Sequence, residues 1–109
     1  MNDMAEKTII DIETEIVRTL KNIYDPEIPV NIYELGLIYE IEVDDDHNVE
    51  ITMTLTAPNC PVADHLLEDI ERQVSEIEGV QKATITLTFD PPWDQSMLSD
   101  EARLELGLM

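Results

Sequence analysis

The chain has one cysteine, Cys60, and it stands in Pro-Asn-Cys-Pro, where an alternating apolar pattern stops and a helical one starts. A thiol in that position can be a small buried hydrophobe, a nucleophile or a metal ligand. Pro61 suits the first position of a helix, because the N–H it lacks would have been unpaired there. Cys60 is therefore expected at or next to the N-cap, near the positive end of the helix dipole. An exposed helix end contributes roughly 0.3–1 kcal/mol. One pKa unit is about 1.4 kcal/mol, so the dipole lowers a thiol pKa by less than about one unit. Asp64 and the anionic chain push the other way. The expected thiol is modestly acidic, better suited to ligand exchange than to covalent catalysis, and a coordinating metal would deprotonate it outright.

The other ligand types are sparse. A nucleophilic cysteine needs a nearby base. His65 lies five residues on, at a different side of the helix, and His47 falls in a predicted hairpin turn. A closed zinc site takes about four Cys or His ligands, and an iron–sulfur cluster usually takes four thiolates. One chain supplies neither set, so Cys60 could serve only a shared or transient site. A second group is Asp25, Glu27 and Glu34, with Asn31 among them. These acids can fix turns through backbone N–H groups, or form an acidic rim near the thiol. The third is Asp90-Pro91-Pro92-Trp93. Its tryptophan reads either as a lid on the core or as a recognition edge, since Trp is enriched at binding hot spots.

The elements that must position these residues follow from periodicity. Residues 1–7 read as a flexible polar leader, with residues 8–109 forming one domain. Ile9, Ile12, Ile16, Leu20 and Ile23 recur at helical spacing. Asp3 and Thr8 are possible caps, each with an acid three residues on, and Pro26 is expected to stop the helix. Asp25 to Gly36 reads as an ordered, proline-rich loop. Leu37, Tyr39, Ile41 and Val43 form the apolar face of one strand, and Val49, Ile51, Met53 and Leu55 that of a second; Asp44 to Asn48 turns between them. Val62, Leu66, Ile70, Val74 and Ile77 make a second helical stripe, with Gly79 at its C-cap. Ala83, Ile85, Leu87 and Phe89 face inward from a third strand, and Ser99 to Leu106 reads as a short helix. The order α-β-β-α-β-α predicts an α+β two-layer sandwich: a three-stranded mixed or antiparallel sheet, two main helices on one face and a short C-terminal helix. Periodicity alone leaves open whether the third strand pairs with the first or the second.

Charge narrows the function classes. The chain of 109 residues carries 25 Asp and Glu against 6 Lys and Arg, a net charge of -19. Nucleic-acid affinity rests on neutralising phosphates, so neither nucleic acid nor an anionic membrane surface is an expected partner. No apolar run approaches the ~20 residues of a membrane span. A lone cysteine in a chain read as having no signal-like leader is expected in a reducing, cytoplasmic setting.

The stretches YDPEIPVNIYELGLIYEIEV, MTLTAPNCPVADHL and LTFDPPWDQSMLSDEARLELG, taken in this order, resemble the SufT/PaaD-like family of metal–sulfur cluster assembly factors over residues 8–108. The resemblance implies a small α+β domain, not an enzyme, that acts as an accessory factor in maturing iron–sulfur proteins. It implies no permanently bound cofactor, and transient iron or an Fe–S cluster at Cys60, alone or across a homodimer. Asp25, Glu27, Glu34, Asp90 and Trp93 fall in its motif blocks; Glu34 stands where Asp is also common, leaving the acid in place. Fe–S assembly proteins and apo Fe–S recipients are the partners it implies. The alternative is a protein-binding adaptor dedicated to one oxygenase or cluster-assembly complex, with a structural Cys60.

Overall fold

The structure is a computed structural model that describes residues 8–24, 28–56 and 63–108. The possible cap Asp3 lies outside them. Helix α1, Ile9–Leu20, opens on a reciprocal capping box. Thr8 Oγ1 accepts from the Asp11 N–H at 3.1 Å, and the Thr8 N–H donates to Asp11 Oδ2 at 3.2 Å. Ile12, Ile16 and Leu20 are fully buried, as a stripe at three- and four-residue spacing requires. The helix ends earlier than Pro26 would dictate. Lys21 is its C-cap, and Asn22 Nδ2 donates to the Arg18 carbonyl at 3.0 Å, satisfying one of the last open acceptors. Ile23 is still in the core, held from outside the helix by the Ile32 N–H donating to its carbonyl.

Strands β1, Ile38–Val43, and β2, Asn48–Met53, form an antiparallel hairpin. Asp44 organises the turn: its Oδ1 accepts from the N–H groups of Asp46 and Asn48, both at 2.9 Å. The backbone N–H of Asn48, followed by its side-chain amide, holds the Asp44 carboxyl below the ordinary aspartate pKa. Helix α2, Ala63–Ser75, crosses over the sheet and delivers β3, Lys82–Leu87, parallel to β2. The order is β1-β2-β3, which resolves the pairing that periodicity left open. Short turns continue past α2, with Gly79 at φ 99. Gly79 thus stands after these turns rather than at the helix cap. Val80 packs against the core as expected. A 3-10 turn, Gln95–Met97, leads into α3, Asp100–Glu105, capped by Ser99 Oγ.

One core joins α1, α2 and a single face of the sheet, with Ile51, Met53, Ile70 and Val74 fully buried. The other face carries the exposed Glu40, Glu42, Glu50, Thr84 and Thr86. This is the expected two-layer α+β sandwich. Two details differ from simple alternation. The β1–β2 register shifts between Ile38 and Glu40, so Ile38 pairs with Met53 and joins the core while Tyr39 turns elsewhere, as a bulge allows. The inward face of the third strand also fades, leaving Leu87 38% and Phe89 39% exposed.

Candidate functional site

The Asn31–Leu37 segment is a tight, self-bonded loop. Asn31 Oδ1 accepts from the Glu34 N–H at 2.8 Å, and the Asn31 carbonyl accepts from the Leu35 N–H at 3.0 Å. Its apolar members Ile32, Leu35 and Leu37 are fully buried. Gly36 sits at φ 82, and a Cβ there would fall well inside contact distance of the Met97 carbonyl oxygen. Both the conformation and the close approach demand glycine.

The Pro-Pro-Trp block closes over this loop. Trp93 Nε1 donates to the Leu35 carbonyl at 2.7 Å. The Ser99 N–H donates to the Glu34 carbonyl at 3.0 Å. The Tyr39 hydroxyl, turned outward by the bulge, donates to the Pro91 carbonyl at 2.7 Å. Two motif blocks 58 residues apart at Leu35 and Trp93 are therefore one structural unit. Trp93 packs against the core with its N–H occupied, which is the geometry of a lid. Asp90 is exposed, and its N–H donates to Thr88 Oγ1 at 3.2 Å.

Glu34 points to the other side of the loop. Its carboxylate is 12% exposed and lies 3.6 Å from Lys21 Nζ. The same ammonium is 5.4 Å from the centre of the Tyr33 ring, within cation–π range. Glu34 also lines a cavity of about 80 Å³ with Tyr24, Asn31, Glu101 and Glu105. The structure thus brings Glu34 and Trp93 together through the loop backbone. Cys60, Asp25 and Glu27 lie outside the described residues. Thr54 directly follows β2, and its N–H donates to the Leu37 carbonyl at 2.8 Å. Thr54 is fully buried, and its Oγ1 has no hydrogen-bond partner among the described residues.

Sequence reasoning did not single out Tyr39, Lys21 or Thr54. Tyr39 stood inside a motif block, but alternation assigned it to the core. Lys21 could have been found as one of only 6 basic residues, close before the acidic loop. Among the described residues no group of three or more His, Cys, Asp or Glu is placed to hold a metal ion. No described helix is long and apolar enough to cross a membrane.

Residues 13–87 match the family described as iron–sulfur cluster assembly protein. The chain belongs to this family. It is 53% identical over 100 residues to an "Fe-S protein maturation auxiliary factor" of Porphyromonas gingivalis, covering 92% of this chain and 95% of that protein. It is 33% identical to the "Fe-S protein maturation auxiliary factor SufT" of Staphylococcus aureus, covering 79% of this chain and 98% of the relative. Among solved structures, a domain of unknown function from Bacillus anthracis superposes with a TM-score of 0.84 at 30% identity, over 99% of this chain and 100% of that one. The SufT-like membership and the fold expected from the motif blocks are both upheld.

Proposed function

We propose that this family member is an accessory factor in iron–sulfur protein maturation, with Cys60 as a thiolate that engages iron or a labile cluster transiently. The observation that carries this is near-full-length similarity to relatives named as auxiliary factors of that process, at up to 53% identity. Shorter matches to proteins named iron–sulfur cluster carriers, 29% identical over 82 residues in one case, support cluster handling. The chemistry agrees: one thiol per chain falls short of the four ligands a resident cluster usually takes, so the cluster is cargo shared with a second party. On this reading the chain is not an enzyme. It works in the cytoplasm and meets Fe–S assembly proteins and apo recipients. The clamp of Trp93 over Leu35 supplies the rigid frame, with Glu34 in the same loop; Asp25 and Glu27 are further binding candidates from the motif blocks.

Complementation tests this reading. In cells lacking the chain and limited for iron, the wild type restores the activity of cluster-dependent enzymes, and C60A, expressed to the same level, does not. Full rescue by C60A with partner binding intact would instead establish the adaptor, with a structural cysteine.

A further inference from the structure

The two edges of the sheet are built differently. β1 is guarded: its register is broken at Tyr39, and it displays the exposed Glu40 and Glu42. Bulges and edge charges of this kind block pairing with other chains. β3 has no such register break, and its one charge is Lys82 at its first position. It runs in unbroken register with β2, from Asn48 opposite Lys82 to Met53 opposite Leu87. No proline and no acid occurs from Gly79 to Phe89, in a chain with 25 acidic residues.

Backbone direction completes the contrast. The Thr88 N–H donates to the Met53 carbonyl at 2.8 Å. In a parallel ladder this phase turns the even-numbered residues of β3 toward β2. The N–H and C=O groups of Ala83, Ile85 and Leu87 then face away from the sheet. Beside them, Leu87 and Phe89 are apolar side chains at 38% and 39% exposure.

We propose that β3 pairs antiparallel with β3 of a second copy of this chain, about a two-fold axis at Ile85, to form one continuous sheet. The strand is self-complementary in this register. Ile85 meets the partner's Ile85, and small Ala83 meets the partner's Leu87. Both are pairs of outward-facing residues, so each exchanges two backbone hydrogen bonds. On the open face Thr84 meets the partner's Thr86. Lys82 meets the partner's Thr88. A single strand pair falls at the small end of specific interfaces, so the dimer is weak and concentration-dependent. Each copy carries a charge of -19. The acids on α2 repel across the seam, and salt screens that repulsion. The inference does not depend on the proposed role of Cys60.

Sedimentation of the full chain under reducing conditions, from micromolar to near-millimolar, tests it. The expected result is a monomer–dimer equilibrium whose association constant rises several-fold between about 0.05 and 0.5 M salt. T84K lowers that constant at least tenfold with an unchanged urea midpoint. The register is read by cysteine pairing in a C60S background. Residues directly opposite in a non-hydrogen-bonded pair have Cα atoms about 4.5 Å apart, within disulfide reach. Mixed T84C and T86C chains therefore cross-link to each other in preference to themselves. A chain that stays monomeric throughout, a dimer indifferent to T84K, or preferential cross-linking of T84C to itself would overturn the proposal.

Discussion

Replacing Gly36 with alanine tests whether the Trp93 lid and the Asn31–Leu37 loop are one unit. The new Cβ would collide with the Met97 carbonyl oxygen and stand 2.9 Å from both the Met97 carbonyl carbon and its Cβ. Backbone at that distance must move. The positive φ adds about 1–2 kcal/mol for any residue with a Cβ. Moving Met97 also strains two bonds on either side of it, Trp93 to the Leu35 carbonyl and Ser99 to the Glu34 carbonyl. Each contributes about 1 kcal/mol net. The expected loss is about 3–4 kcal/mol, a large share of the 5–15 kcal/mol typical of a domain. Gly107 is the control: at φ 75, a Cβ added there would meet nothing within 4 Å, so G107A costs only the conformational part, about 1–2 kcal/mol. Urea unfolding followed by the fluorescence of Trp93, the sole tryptophan, measures both. The native emission of G36A should also shift as the indole loses its fixed partner. Equal costs for G36A and G107A, with unchanged emission, would refute the clamp.

Two further outcomes follow from single groups. Thr54 Oγ1 is buried without a described partner, so T54V removes a desolvated hydroxyl and should leave stability equal or raise it by about 1 kcal/mol; a loss above about 1 kcal/mol in thermal unfolding would show that the hydroxyl is satisfied. The Asp44 carboxyl, held low by Asn48, should titrate below an ordinary aspartate in carbon-detected NMR. Because its folded value is depressed, its contribution to the hairpin is present above the ordinary aspartate range and lost as pH falls through the lowered value; an unshifted titration would contradict the turn geometry.

The elements were legible because burial imposes a period. The stripe of Ile12, Ile16 and Leu20 marks a helix, the alternation of Val49, Ile51 and Met53 marks a strand, and both patterns survive folding. What pattern could not convey was anything set by a single hydrogen bond or a local slip. Asn22 ends α1 through its side chain, which hydropathy does not register. The break in register at Tyr39 exchanges it with Ile38, because one extra residue in a period of two reverses the faces. At the site, the motif blocks were visible as separate stretches, but their union through Trp93 and Leu35 joins residues far apart in sequence and needs the fold. Glu34 was legible as an acid in a loop; its pairing with Lys21 was not, since Lys21 belongs to the end of a helix that periodicity extended too far.

The proposed role of this chain is to promote cluster acquisition through Cys60. It is tested most directly by the anaerobic rate at which an apo iron–sulfur enzyme gains activity from a cluster-loaded assembly scaffold. Catalytic amounts of the wild-type chain are expected to raise that rate, and C60A to leave it at the rate of the scaffold alone. Equal acceleration by C60A, or none by the wild type, would contradict it.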